Sequence, residues 1–203
     1  TSKSAASRPE IPPSLIAVLD KWEKRADLVL GETIGYTKTG INEQSAQMHN
    51  LLVDSWLWVY PDADIAMSNT GGFRQSLPPG EITVGDIVGL FPFEDYILEL
   101  EITGKDVLQT IQQVGSMIVV GGLRRQADGS YVLRDGSPLE PDRAYRVLVV
   151  DYMYYNNKYP FRLYDGGQRR SLGPVRLNGI TARVRRGIGI HAAACMPMHV
   201  VPL

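Results

Sequence analysis

GEITVGDIVGLFPFEDYILELEITG, residues 80–104, holds two kinds of structure in one short run. A turn at Pro78-Pro79-Gly80-Glu81 leads into a short helix that starts near Val84 and breaks at Phe91-Pro92-Phe93. From Tyr96 apolar and charged residues alternate, the mark of a half-buried strand, and Gly104 ends it. Downstream, 105–117 reads as a helix with Val107, Leu108, Ile111 and Val114 turned inward. Upstream, DIAMSN at 64–69 is a strand, and SAQMHNLLVDSWLWVY at 45–60 is a helix capped by Ser45. Its apolar positions are Met48, Leu51, Leu52, Trp56 and Val59. Asp128-Gly129 and Asp135-Gly136 are turn signals that place strands near 131–134 and 145–151. Helices mixed with strands and hairpin turns favour an α+β fold over a doubly wound parallel sheet.

The rest of the chain bounds the function classes. Its 203 residues suffice for one domain with a proper core. With 21 Lys and Arg against 22 Asp and Glu, the formal charge of -1 argues against nucleic acid as a partner. No apolar run reaches the ~18 residues of a membrane span, so no membrane partner is expected. The polar N-terminus shows no signal peptide, and a start at Thr1 without Met points to a mature, trimmed or excised chain. Residues 1–13 read as a linker remnant. Helix 14–30 follows, with Leu15, Val18, Leu19, Trp22, Ala26 and Val29 on one stripe, as at the entrance to a downstream domain.

Catalytic signatures are sparse. His49, His191 and His199 stand in no metal-ligand spacing, and Cys195 sits in an apolar run without a basic neighbour. There is no nucleophile elbow and no phosphate-cradling P-loop. The aspartates, Asp54, Asp86, Asp106 and Asp151 among them, are scattered, and most are expected to be solvated or capping.

Binding signatures are richer. In SNTGGFRQSL, residues 68–77, Asn69 offers a donor and acceptors, Gly71 and Gly72 let a backbone approach a ligand, and Arg74 can fork onto an anion or a hydroxyl pair. The plainer alternative is a tight turn with a surface arginine. Of Phe91 and Phe93, one can enter the core while the other is displayed. Segment 152–167 is aromatic and irregular: Tyr152, Tyr154, Tyr155, Tyr159, Phe161 and Tyr164 lie beside Asn156 and Asn157. It is either a loop packed on itself or a stacking wall, where each aromatic face gains roughly 1–3 kcal/mol with a flat ring.

These elements, in this order, resemble the C-terminal domain of the 5'-nucleotidase and UDP-sugar hydrolase family. The resemblance runs from about Gly31 to Asp165. It rests on GETIG, on HNLLVDSWL for a "GN…DA" helix, and on DIAMSNTGGFR for "N-x-G-G-I-R". It rests further on residues 80–104 for a "G-x-I-T…PF…L-x-G" block and on YRVLVVDYM before a second aromatic. It implies a single α+β domain of mixed sheet with packed helices over 31–190, followed by a tail at 191–203. It implies that a nucleoside or nucleotide stacks between Phe93 and Tyr152 and is held by Asn69 and Arg74. Two departures stand out. Asn156-Asn157-Lys158-Tyr159 replaces a Gly-Gly-Asp-Gly turn, so Lys158 sits where the family has a carboxylate. Asn42 falls where a further arginine is expected. The family's divalent metals and its catalytic Asp-His pair belong to an N-terminal metallophosphatase domain, the partner implied for a longer chain. The expectation is therefore no metal or cofactor in these residues and no hydrolysis by them alone. Family habit places the protein in the periplasm or outside the cell. The rival expectation is a non-enzymatic module with a degenerate pocket, serving assembly or another small ligand.

Overall fold

A helix that begins at Pro13 and a sheet that ends at Pro174 bound the described architecture. The structure, a computed structural model, describes residues 12–164 and 169–174. The expected linker lies almost wholly outside these residues, and the tail at 191–203, with His191, Cys195 and His199, lies wholly outside them.

The chain order is α1 (Pro13–Leu30), β1 (Thr33–Thr37), α2 (Ala46–Val59), β2 (Ile65–Asn69), β3 (Gly80–Thr83), α3 (Val84–Leu90), β4 (Tyr96–Thr103), α4 (Gly104–Val114), β5 (Ile118–Gly121), β6 (Leu123–Arg125), β7 (Tyr131–Leu133), β8 (Ala144–Val150), α5 (Asp151–Tyr155), α6 (Phe161–Tyr164) and β9 (Arg169–Pro174). Five strands make the main sheet in the order β5-β2-β8-β4-β9. β2 and β8 are parallel, and the other neighbours are antiparallel. The sheet is therefore mixed, and the fold is α+β. β1 pairs with β3, and β6 with β7, as two small antiparallel ribbons.

Local chemistry sets the element ends. Ser45 caps α2 by accepting from the N–H of Met48. Thr83 and Asp86 form a reciprocal capping box on α3, and Thr103 accepts from the N–H of Asp106 at the start of α4. Asp128 and Asp135 close their turns by accepting from the N–H groups of Ser130 and Ser137, each at 2.9 Å. α4 is shorter than its periodicity predicts because Gly115 swings to φ 60°, which ends the α-helix at Val114, and Gly115–Met117 continue as a 3₁₀ turn.

Packing explains the remaining differences. α2 is buried on nearly all sides: Val53, Ser55 and Leu57 join the expected stripe, and Asp54 is buried rather than solvated or capping. Gly80 and Glu81, expected within the turn at 78–81, instead open strand β3 against β1. β5 is a fully buried run of four residues, too short for periodicity to separate it from helix. β9 is a polar edge strand on β4, which needs only one ladder partner and no apolar alternation. The 152–167 segment is not wholly irregular: within its described part, α5 and α6 and the turn between them bury Tyr154, Tyr159 and Phe161 and leave Tyr152 and Tyr155 exposed. α1 contrasts with all of these. It has no buried residue, and Leu15, Val18, Leu19, Trp22 and Val29 are all exposed. Its C-terminal Leu30 is half-buried and lies against Gly85 of α3.

Candidate functional site

Strand register gathers the candidate residues at one rim of the main sheet. β2 and β8 run parallel with Ile65 beside Val147 and Met67 beside Val149, so Asn69 and Val150 finish side by side. β4 runs the other way along β8 with Ile97 opposite Val150. The segment entering β4, which carries Phe93, therefore arrives at the same rim. Tyr152 follows β8 immediately, within α5. Across β5, Asn69 faces Ile118.

Under this rim lies a sealed aromatic layer. Phe73 and Phe91 are buried, with ring centroids 4.9 Å apart. His49 of α2 packs on Phe73 at 5.1 Å. Burial lowers the pKa of the His49 imidazole, and its Nε2 has no hydrogen-bond partner among the described residues. This histidine packs on the aromatic layer, in keeping with a lone His outside any ligand spacing.

Above that layer the alternate residues point outward. The N–H of Arg74 donates to the carbonyl of Leu90 at 3.1 Å, which aligns the stretch after the Gly pair with the stretch leaving α3. With Phe73 and Phe91 inward, Arg74 and Phe93 emerge together. The Arg74 guanidinium lies over the Phe93 ring, 5.0 Å from its centroid. Phe93 is 38% exposed and Tyr152 45%. The Tyr152 ring meets Tyr159 edge-on at 6.3 Å. Of the two phenylalanines around Pro92, one enters the core and the other is displayed.

Asn69 is half-buried at the head of a 3₁₀ turn, Thr70–Gly72, and makes no side-chain capping bond to it. Gly71 is exposed and Gly72 buried. Neither has a positive φ. A Cβ on Gly71 would meet nothing nearer than the Asn69 Nδ2 at 3.5 Å. Backbone geometry does not demand glycine there, so its effect is to keep the exposed turn low.

Lys158 stands apart from this group. It is exposed, its N–H donates to Asn156 Oδ1 at 3.0 Å, and it lines an open cleft with Gln113, Asn157, Tyr159, Pro160, Arg162 and Leu163. None of Asn69, Arg74, Phe93 and Tyr152 lines that cleft. Gln113 and Arg162 were not among the expected site residues. Gln113 comes from α4, and nothing in the sequence ties that helix to the 157–163 stretch. Among the described residues no three His, Cys, Asp or Glu side chains are grouped to hold a metal ion. No helix among them is long and apolar enough to cross a membrane.

A family model described as "5'-nucleotidase, C-terminal domain" matches residues 29–162, more than half of the chain. The chain belongs to the 5'-nucleotidase C-terminal domain family. It is 29% identical over 163 residues to the endonuclease YhcR of Bacillus subtilis (strain 168), covering 72% of this chain and 13% of that protein. It is 25% identical over 178 residues to the cell wall protein Lmo0130 of Listeria monocytogenes, covering 69% of this chain and 23% of the relative. Among solved structures, the 5'-nucleotidase precursor from Thermus thermophilus superposes with a TM-score of 0.69 at 21% identity, over 84% of this chain and 40% of that one. The chain thus spans less than a quarter of the two curated relatives and less than half of the solved one. The structural likeness agrees with the mixed α+β fold.

Proposed function

We propose that the rim binds a nucleoside or nucleotide for a 5'-nucleotidase-type phosphoester hydrolase of nucleotide catabolism. The observation that carries this reading is the pair of displayed rings at one sheet rim, Phe93 and Tyr152, next to Asn69 and Arg74. Exposed rings with hydrogen-bonding groups beside them suit a ligand that is flat on its faces and polar at its edges. A flat base stacks on Phe93 and Tyr152. Asn69 pairs with a base edge or a sugar hydroxyl, and Arg74 with a phosphate or hydroxyl pair. The low turn at Gly71 and Gly72 lets the ligand lie against the backbone.

The role of these residues is recognition. Fixing the nucleoside part holds the phosphate in one place for attack and so removes an entropic part of the barrier. The bond-breaking step, with its divalent metals, is assigned to a metallophosphatase domain that works with this one in a longer chain. A location outside the cytoplasm goes with this reading; the description of Lmo0130 as a cell wall protein supports it.

Titration with AMP, adenosine and a UDP-sugar, followed by Tyr and Trp fluorescence, tests the proposal. The expected result is micromolar to millimolar binding that weakens in Phe93→Ala. Lys158 and Asn42, standing where the family resemblance places a carboxylate and an arginine, favour a second reading: a degenerate pocket on a non-enzymatic module. Absence of binding at millimolar ligand would support that alternative. Phosphatase activity of the chain with added divalent metal would contradict a purely binding role.

A further inference from the structure

We infer that Arg74 covers Phe93 in competition with the ligand ring and so makes the rim selective for phosphorylated nucleosides over free ones. The inference rests on the nucleotide reading above and adds a direction of specificity to it.

The position of Arg74 is set by the scaffold. Phe73 and Phe91 are locked together below the rim, and the N–H of Arg74 is tied to the Leu90 carbonyl at 3.1 Å. Residue 74 must therefore emerge beside residue 93. Its guanidinium makes no ion pair and no side-chain hydrogen bond with another described residue. The exposed ring of Phe93 is what holds it, through the attraction of a cation for the π face.

A planar base seeking that face meets the guanidinium first. For the base to stack, Arg74 must lift away and lose its ring contact. A neutral nucleoside gives back little. A nucleotide offers a phosphate to the displaced guanidinium, and a charge-assisted hydrogen bond outweighs an exposed cation–π contact. The exchange is favourable only when the anion comes with the ring. Once a phosphate is removed by hydrolysis, the remaining nucleoside no longer holds Arg74 away, and the guanidinium returns to Phe93. One residue thus favours substrate entry and product departure.

Calorimetric titration of AMP and of adenosine into the 203-residue chain, its Arg74→Gln variant and its Phe93→Ala variant tests this. Arg74 is exposed, so the substitution leaves the fold in place; an unchanged melting temperature checks that. In Arg74→Gln, adenosine should bind about 2- to 5-fold more tightly, the size of a lost exposed cation–π competitor. AMP should bind about 10-fold more weakly or worse, the size of a lost charged hydrogen bond. Phe93→Ala should weaken both ligands. If Arg74→Gln weakens adenosine, or leaves it unchanged, while Phe93→Ala still weakens both ligands, the competition idea is wrong and the nucleotide reading stands. If neither ligand binds the unaltered chain, the nucleotide reading falls and this inference with it.

Discussion

Phe91 and Phe93 flank a single proline, yet one is 6% exposed and the other 38%. The same split runs through the facing stretch, where Phe73 is buried and Arg74 is not. Two segments lie side by side: their inward residues make a sealed layer with His49, and their outward residues make the rim. The lesson is that adjacent aromatics can serve unrelated ends, one holding the fold and one offered to a partner. Stability and binding should therefore come apart cleanly between the two layers.

The largest effect should come from Phe91→Ala. Emptying that place beneath Phe73 should cost about 3–5 kcal/mol of stability, measurable by urea unfolding. Phe93→Ala should leave stability within about 0.5 kcal/mol, because the residue is exposed at the surface. It should instead cost roughly 1–3 kcal/mol of nucleotide affinity, seen by calorimetry. A comparable loss of stability in Phe93→Ala would erase the distinction between the layers.

Gly71→Ala sharpens the comparison further. The backbone there does not need glycine and the space for a Cβ is open, so stability should hold or rise by about 0.4–1 kcal/mol. Nucleotide affinity should fall, since a methyl group now stands on the turn the ligand lies against. Unchanged affinity would remove that turn from the site.

The smallest effect belongs to His49. Burial holds its folded pKa below the ordinary 6.5, so the unfolded chain takes up the proton first. Its share of stability is present above pH 6.5 and is lost as pH falls from there toward the folded value. A melting-temperature series from about pH 7.5 to about pH 5 should slope downward on acidification, and His49→Phe should flatten that slope. Asp128 and Asp135 are held low by hydrogen bonds from Ser130 and Ser137 and act only at lower pH, so they do not mask it.

The sequence made much of this legible wherever a local rule and the tertiary environment agree. Ser45, Val84 and the alternation after Tyr96 marked α2, α3 and β4, and Asn69, Arg74, Phe93 and Tyr152 were visible as a set through family resemblance. Their meeting at one rim was not visible, because it follows from the pairing of β2, β8 and β4, which no local pattern encodes. β5 and β9 were missed for opposite reasons: one is short and wholly buried, the other polar and at an edge. Asp54 was misread because its helix is enclosed on the face that periodicity left polar. Lys158 read as part of the expected pocket because it stands where the family resemblance places a carboxylate; it lines a cleft that none of Asn69, Arg74, Phe93 and Tyr152 lines.

A crystal structure of the chain grown with AMP bears most directly on the rim. Density for the base against Phe93 and Tyr152, with Asn69 and Arg74 turned toward the ribose and phosphate, is the expected result. Nucleotide density seated only in the Lys158 and Arg162 cleft, or nowhere on the sheet rim at saturating AMP, would contradict it.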